Sequence, residues 1–208
     1  MNRYFKPICV SFVTCKTIII PNYYYGKHWT RNQTEPTVTN TWYTDRTINF
    51  YLVDSIIPVG NIFELDGYTY QPTAVNLPPA RRDLLVLEKW KLLQGNNFST
   101  VAHLLGHFFG LAHTFDEINP SPVAVPPPPS GVISQEFVDG TNCAVHGDGF
   151  CDTEADSGSG LITQDGKGDY YIYPYDNMMT YSTQRCRFTQ QQYNYMAWVI
   201  TNLRLYLH

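Results

Sequence analysis

The sequence predicts an α/β fold, and three features carry that prediction. Its first half holds short runs of β-branched and aromatic residues set between turn formers. A helical segment carrying histidines follows at residues 99–110, and an amphipathic stretch closes the chain. Of the 208 residues, 43% are hydrophobic and 15% charged, enough apolar side chain to pack a core, and the length suits one domain.

Residues 5–14 and 47–53 (Thr-Ile-Asn-Phe-Tyr-Leu-Val) have the composition of strands, and residues 68–70 form a shorter candidate. Residues 83–90 carry Leu84, Leu85, Val86 and Leu87 without a break, the pattern of a strand covered on both faces. A helix is expected from Ser99, whose hydroxyl can accept from first-turn amides, to Gly110, which can stop it. Prolines at 120, 122 and 126–129 mark residues 119–131 as an extended spacer on the surface. Residues 140–168, rich in Gly, Asp, Ser and Thr, read as loop. A last helix is expected from about Thr189 towards Leu207, with Met196, Val199, Ile200, Leu203 and Leu207 on one face.

Composition excludes some functions. The net charge is -4, from 14 basic and 18 acidic residues with no basic stripe, which argues against nucleic acid as a partner. No apolar run approaches the ~20 residues that span a bilayer. Residues 1–20 start basic and continue apolar, as a signal peptide does. Pro7, Cys9, Cys15 and Lys16 interrupt that run and no small-residue cleavage site follows, so it reads as a buried strand. Five cysteines leave at least one without a partner in the chain. With the sequons at Asn32 and Asn97, they point to a secreted or otherwise extracytoplasmic protein whose targeting segment is absent from this chain.

The segment that carries chemistry is His103-Leu-Leu-Gly-His107-Phe-Phe-Gly110-Leu-Ala-His113. Positions i and i+4 lie one turn apart on one face of a helix. Two imidazoles so placed can reach one cation at the ~2.0–2.1 Å of zinc–nitrogen bonds. Gly110 permits a sharp turn without a Cβ penalty, and the turn lets His113 return as a third ligand. Three protein ligands leave a fourth position open, as a catalytic zinc requires.

That pattern, continued by Thr114 and Phe115, resembles the pappalysin (ulilysin-like) branch of the metzincin zinc metallopeptidases. Four further segments agree. Asn177-Met178-Met179-Thr180-Tyr181 is similar to the Met-turn, and residues 147–156 (Gly-Asp-Gly-Phe-Cys-Asp-Thr-Glu-Ala-Asp) to the family's Gly-Asp…Asp-Thr-Pro-Ala-Asp loop. Cys186-Arg187-Phe188-Thr189 leads into the last helix, and residues 5–12 match an early segment.

The resemblance implies one metallopeptidase domain with an upper lobe, 1–113, and a lower lobe, 114–208. It implies a twisted mixed sheet with the active-site helix above a cleft, and an irregular C-terminal lobe ending in a helix. It implies Zn2+ on His103, His107 and His113, Met179 beneath the metal, and Tyr181 beside it to stabilise an oxyanion. It suggests a Ca2+ site at Asp148, Asp152 and Thr153, since hard cations prefer oxygen. A Cys151–Cys186 disulfide is also implied, with Cys9, Cys15 and Cys143 left unassigned. A peptide or protein substrate would pair with a sheet edge, for which residues 68–70 are the candidate.

The chain departs from the family in three places. Where the zinc-peptidase motif has a glutamate after its first histidine, this chain has Leu104, which can neither polarise water nor carry a proton. Positioned acid–base catalysis is worth roughly 10²–10⁴ in rate. Glu154 stands where the family has proline. Family domains also open with a strand and a long backing helix, of which residues 1–4 would be only the tail, so the upper lobe reads as shortened. The expected function is a zinc-dependent metalloendopeptidase scaffold that works through a zinc-bound water and is strongly impaired by Leu104. The alternative is a zinc-retaining pseudopeptidase that binds peptides or proteins without cutting them.

Overall fold

A three-stranded mixed sheet organises the first part of the chain, in the order β1 (Asn49–Val53), β3 (Leu84–Glu88), β2 (Gly67–Thr69). The computed structural model describes residues 1–58, 67–72, 77–93, 98–116, 136–158 and 164–207. The expected proline-rich spacer at 119–131 lies outside them. β3 runs parallel to β1 and antiparallel to β2. Its central place explains why Leu84 to Leu87 are all buried. β1 is half-buried: Asn49, Tyr51 and Val53 face inward while Phe50 and Leu52 stay exposed. β2 is an edge strand of this sheet, as expected of residues 68–70.

Seven helices occur among the described residues: α1 (Asn2–Phe5), α2 (Tyr23–Lys27), α3 (Thr34–Trp42), α4 (Pro79–Arg82), α5 (Lys89–Leu93), α6 (Phe98–Phe108) and α7 (Gln190–Asn202). The fold is thus α/β with a small mixed sheet. The histidine helix, α6, matches its expected span within two residues at each end, and Gly110 past its end takes φ 91°. α7 realises the expected closing helix with Met196 and Val199 fully buried, but Leu203 lies past its end, exposed.

The expected strand at 5–14 does not form. Residues 6–8 make a 3₁₀ turn around Pro7, and Cys9 follows with φ 58°, which redirects the chain. The side chain of Asn2 then takes the place of a strand partner. Its Oδ1 accepts from the amide of Phe12 at 3.0 Å, and its Nδ2 donates to the Phe12 carbonyl at 3.2 Å. The residues beyond are far from buried: Val13 is 79% and Ile19 87% exposed.

The core on the sheet gathers Trp29, Val38, Tyr51, Val53, Ile56, Tyr68, Leu84 and Val86. Beside it lies a buried acidic centre. Glu35 on α3 is fully buried; it accepts from the hydroxyls of Tyr68 (2.6 Å) and Tyr70 (3.1 Å) and pairs with Arg81 of α4 at 2.5 Å. A buried charge so fully partnered ties α3, α4 and β2 together. Burial, then the charge of Glu35, pushes the Tyr68 phenol far above its ordinary range. Tyr51, its ring tilted against Trp29 with centroids 5.4 Å apart, has a buried hydroxyl with no hydrogen-bond partner among the described residues. Tyr51→Phe removes an unmet polar group, so it is expected to leave stability unchanged or raise it by up to about 1 kcal/mol in urea unfolding.

The chain divides into two compact units. One comprises Met1–Gly110 with Ala197–His208, and the other Leu111–Met196. The C-terminal residues therefore group with the sheet, and the second unit holds the Met-turn segment and the acidic loop.

Candidate metal centre

In the first unit, α6 places His103 and His107 one turn apart on one face. Their Nε2 atoms are 3.1 Å apart and the rings stand at 89° to each other. Ligand atoms of a tetrahedral zinc with bonds of ~2.0–2.1 Å lie ~3.3 Å apart. The pair thus already has the spacing that one shared cation needs. α6 can hold it because Val101, Ala102, Leu105 and Phe108 are buried, which anchors the helix by its apolar residues.

Leu104, one residue after the first histidine, is only 5% exposed. Its Cδ1 lies 3.0 Å from where a Cβ on Gly67 would stand, so it packs on the backbone of edge strand β2. A side chain at 67 would also meet the Val86 carbonyl at 2.6 Å, which explains glycine there. Position 104 is thus filled by packed hydrocarbon.

His113 lies in the second unit, three residues past Gly110. Its Nδ1 is 3.0 Å from Asp116 Oδ2, and its backbone amide donates to the same oxygen at 2.9 Å. A carboxylate on Nδ1 favours the tautomer whose lone pair is on Nε2, the form that ligates a cation. Asp116 is therefore a candidate orienting residue that the sequence did not place on His113. Its place three residues after a histidine was the available signal, but spacing alone does not tell an orienting carboxylate from a solvated one. Phe115 stacks on His113 at 4.8 Å, and Tyr181 meets both rings edge-on at 4.7 and 4.9 Å. Burial, then the charge of Asp116, raises the Tyr181 phenol pKa, yet Tyr181 remains 57% exposed. Each of the three histidines offers one ring nitrogen as a candidate metal ligand.

Residues 177–180, where a Met-turn is expected, are built tightly. Asn177, Met178, Met179 and Thr180 are fully buried. The Met179 amide donates to Asn177 Oδ1 at 2.8 Å, and its carbonyl accepts from the Thr114 amide at 3.3 Å. That bond ties the turn to the residue next to His113. The Thr114 hydroxyl in turn donates to Asp156 at 2.7 Å, so the acidic loop is anchored at the same point.

Within that loop Asp148 and Thr153 come together. Asp148 Oδ1 accepts from the Thr153 hydroxyl (2.8 Å) and the Phe150 amide (3.0 Å), while Oδ2 is buried without a hydrogen-bond partner among the described residues. Asp148 is 1% exposed, and burial pushes its carboxyl up to about 7. An orphaned carboxylate oxygen in that setting suits a cation. Glu136, absent from the expected set, is also buried, and its Oε2 occupies the space where a Cβ on Gly147 would sit. Asp152 lies close enough for its charge to raise the Asp148 carboxyl further, and its Oδ2 accepts from the Gln191 amide at 2.8 Å, at the start of α7, where four amides lack helical partners.

The cysteine pairing differs from expectation. Cys151 is bonded to Cys143, eight residues away with Cα atoms 5.1 Å apart, and Cys186 is free and exposed, as are Cys9 and Cys15. The link expected between the acidic loop and the Cys186 segment is made by Arg187. It pairs with Asp176 at 2.6 Å and with Glu154, the residue at the family's proline position, at 3.0 Å.

No protein-family model matches the chain, and no curated protein matches its sequence. Among solved structures it is similar to mature mirolysin of Tannerella forsythia in complex with a cleaved peptide. The identity is 18% and the TM-score 0.48, over 78% of this chain and 56% of that one. It is also similar to mirolysin in complex with compound 9, at 15% identity and a TM-score of 0.49, over 87% of this chain and 65% of that one. The chain thus spans less than two thirds of the length of either structure, and nothing about activity follows from likeness at this level.

Proposed function

We propose that this chain is a metzincin-type zinc metalloendopeptidase scaffold in which His103, His107 and His113 hold the metal and Leu104 has removed the general base. The observation that carries the reading is the His103–His107 pair, with Nε2 atoms 3.1 Å apart on one helical face. Supporting it are the Asp116 carboxylate on His113 Nδ1 and the buried Met-turn tied to Thr114.

A zinc ion held by three imidazoles supplies a Lewis acid and lowers the pKa of water to about 7. The chain's own residues do the rest. The outer edge of β2, unpaired with another strand among the described residues, offers main-chain groups to an extended peptide. Tyr181, with its ring against His113, presents a hydroxyl that can donate to a developing oxyanion. Leu104 accepts no proton, so proton transfer falls to water and the reaction is slow. The Cys143–Cys151 disulfide supports an extracytoplasmic setting. Asp148, Asp152 and Thr153 are the residues proposed to take calcium, with Glu136, packed at Gly147, as a further carboxylate.

A second reading is favoured by the burial of Leu104 against β2. In it the chain keeps its metal and binds peptides without cleaving them.

Metal analysis tests what both readings share. Protein refolded with zinc is expected to hold one zinc per chain, and His107→Ala to hold almost none after the same dialysis. A metal-free wild-type chain would overturn the proposal.

A further inference from the structure

The C-terminal residues carry a buried cation that stands outside the histidine site. Past the end of α7, the amides of Leu203 and Arg204 both donate to the Val199 carbonyl, which turns the chain back. Arg204 is thereby buried, 1% exposed, and each of its guanidinium nitrogens finds an acceptor. Nη1 donates to Asp83 Oδ1 at 2.8 Å, just before β3, and Nη2 to the Tyr70 carbonyl at 3.1 Å, just after β2. Nε donates to the Phe108 carbonyl at 2.9 Å, and the guanidinium lies 3.5 Å from the centre of the Phe108 ring. The Tyr206 hydroxyl completes the set by donating to Asp83 at 2.5 Å.

Phe108 is the last residue of α6 and the neighbour of His107. Carbonyls in a final helical turn have no amide four residues on, and a cation there is favoured by the helix dipole. Here the turn at Gly110 takes the chain away, and Arg204 supplies the missing donor. The same side chain holds that carbonyl against two strand ends, which sets where the last turn of α6 stands relative to the sheet.

We infer that Arg204 is a positioning residue for the histidine site, holding the His107 end of α6 through the Phe108 carbonyl; this rests on reading His103, His107 and His113 as metal ligands. A residue that only stabilised the unit would lower its melting temperature and leave the metal geometry alone. A positioning residue also changes the affinity and geometry of the site, because His103 and His107 share one ion only while their helix keeps its last turn in register.

Cobalt(II) is the probe, since its visible band reports coordination and its titration gives affinity. Arg204→Met is expected to bind cobalt about 10–100-fold more weakly than wild type, with a changed band, the scale of losses when groups behind metal ligands are removed. Arg81→Met breaks the Glu35 ion pair of the same unit and is the control: it should lose thermal stability but keep wild-type cobalt affinity and band. Arg204→Lys, which retains the charge and one donor to the carbonyl, should fall between Arg204→Met and wild type. Wild-type affinity and band in Arg204→Met, or an equal loss in Arg81→Met, overturns the inference. If Arg204→Met does not fold, Arg204→Lys against Arg81→Lys decides on the same two readouts. A wild-type chain that takes up no cobalt sinks the metal reading and this inference together. An Arg204→Met chain that binds cobalt as tightly as wild type sinks this inference alone.

Discussion

Leu104→Glu is expected to raise zinc-dependent peptide cleavage by roughly 10²–10⁴-fold over the wild-type chain, the usual worth of a positioned general base. Position 104 follows His103 on α6, and Glu and Leu are both good helix formers, so the helix tolerates the change. The local environment is less forgiving. Leu104 is 5% exposed and packs on the β2 backbone at Gly67. A carboxylate placed there loses water, and without a cation or a donor its burial is costly. The variant should therefore melt below wild type without metal and recover part of that loss with zinc. Initial rates on a mixed peptide library, zinc-loaded and with a chelator control, measure the effect. Leu104→Gln, which has the shape without the base, should stay near the wild-type rate. If Leu104→Glu holds zinc and binds peptide yet cuts no faster, the peptide-binding reading replaces the peptidase one.

Position 104 also shows how far a sequence can be read. That Leu104 lacks a transferable proton follows from its identity. That it packs on the backbone of a distant strand does not, because Gly67 is 37 positions away (104 less 67) and nothing local couples the two. The His103–His107 pair was legible because helical period and metal geometry act on one element. β3 was legible because a run of four apolar side chains, too short for a helix, suits a strand covered on both faces.

Other elements failed for identifiable reasons. Residues 5–14 have strand composition, yet the side-chain amide of Asn2 occupies the Phe12 backbone where a strand partner would pair. α3, with the sequence Thr-Glu-Pro-Thr-Val-Thr-Asn-Thr-Trp, is poor in helix formers and has a weak apolar stripe. Its inward residues are Thr34, Glu35, Val38 and Thr39, so a buried ion pair and not hydrophobic period holds it in place. The Cys143–Cys151 bond lay beyond sequence reasoning because five cysteines permit many pairings. Asp116 and Arg204 belong to the same class. Each acts through a partner whose proximity exists only in the folded chain.

Calcium is expected to stabilise the protein by about 3–4 kcal/mol at 100–1,000 times its dissociation constant, and to remove a pH dependence that the calcium-free chain shows. The cause is Asp148. Its carboxyl sits at about 7 in the folded chain against an ordinary value of 3.8, with burial the leading cause. A carboxyl raised on folding favours the protonated native state. Its contribution to stability is therefore complete below pH ~4 and is lost as pH rises through ~7. The gap between 3.8 and about 7 corresponds to ~4 kcal/mol as an upper scale. In a chelator, urea unfolding should show less stability at pH 8 than at pH 5. A divalent ion on the orphaned Oδ2 reverses the preference by favouring the ionised carboxylate. The slope should then vanish with calcium, and calcium affinity should rise with pH. Asp148→Asn keeps the size of the side chain and most of its bonding, but it neither titrates nor attracts a cation. It should lose both the calcium gain and the slope. Glu136, packed into the space above Gly147, is proposed as a further carboxylate for that ion, so Glu136→Gln should weaken calcium while leaving the Asp148 slope in place. A wild-type chain with the same unfolding midpoint in calcium and in chelator at pH 8 would rule out the ion. A flat pH profile in chelator would instead mean that water reaches Asp148, and that its buried oxygen has a partner after all.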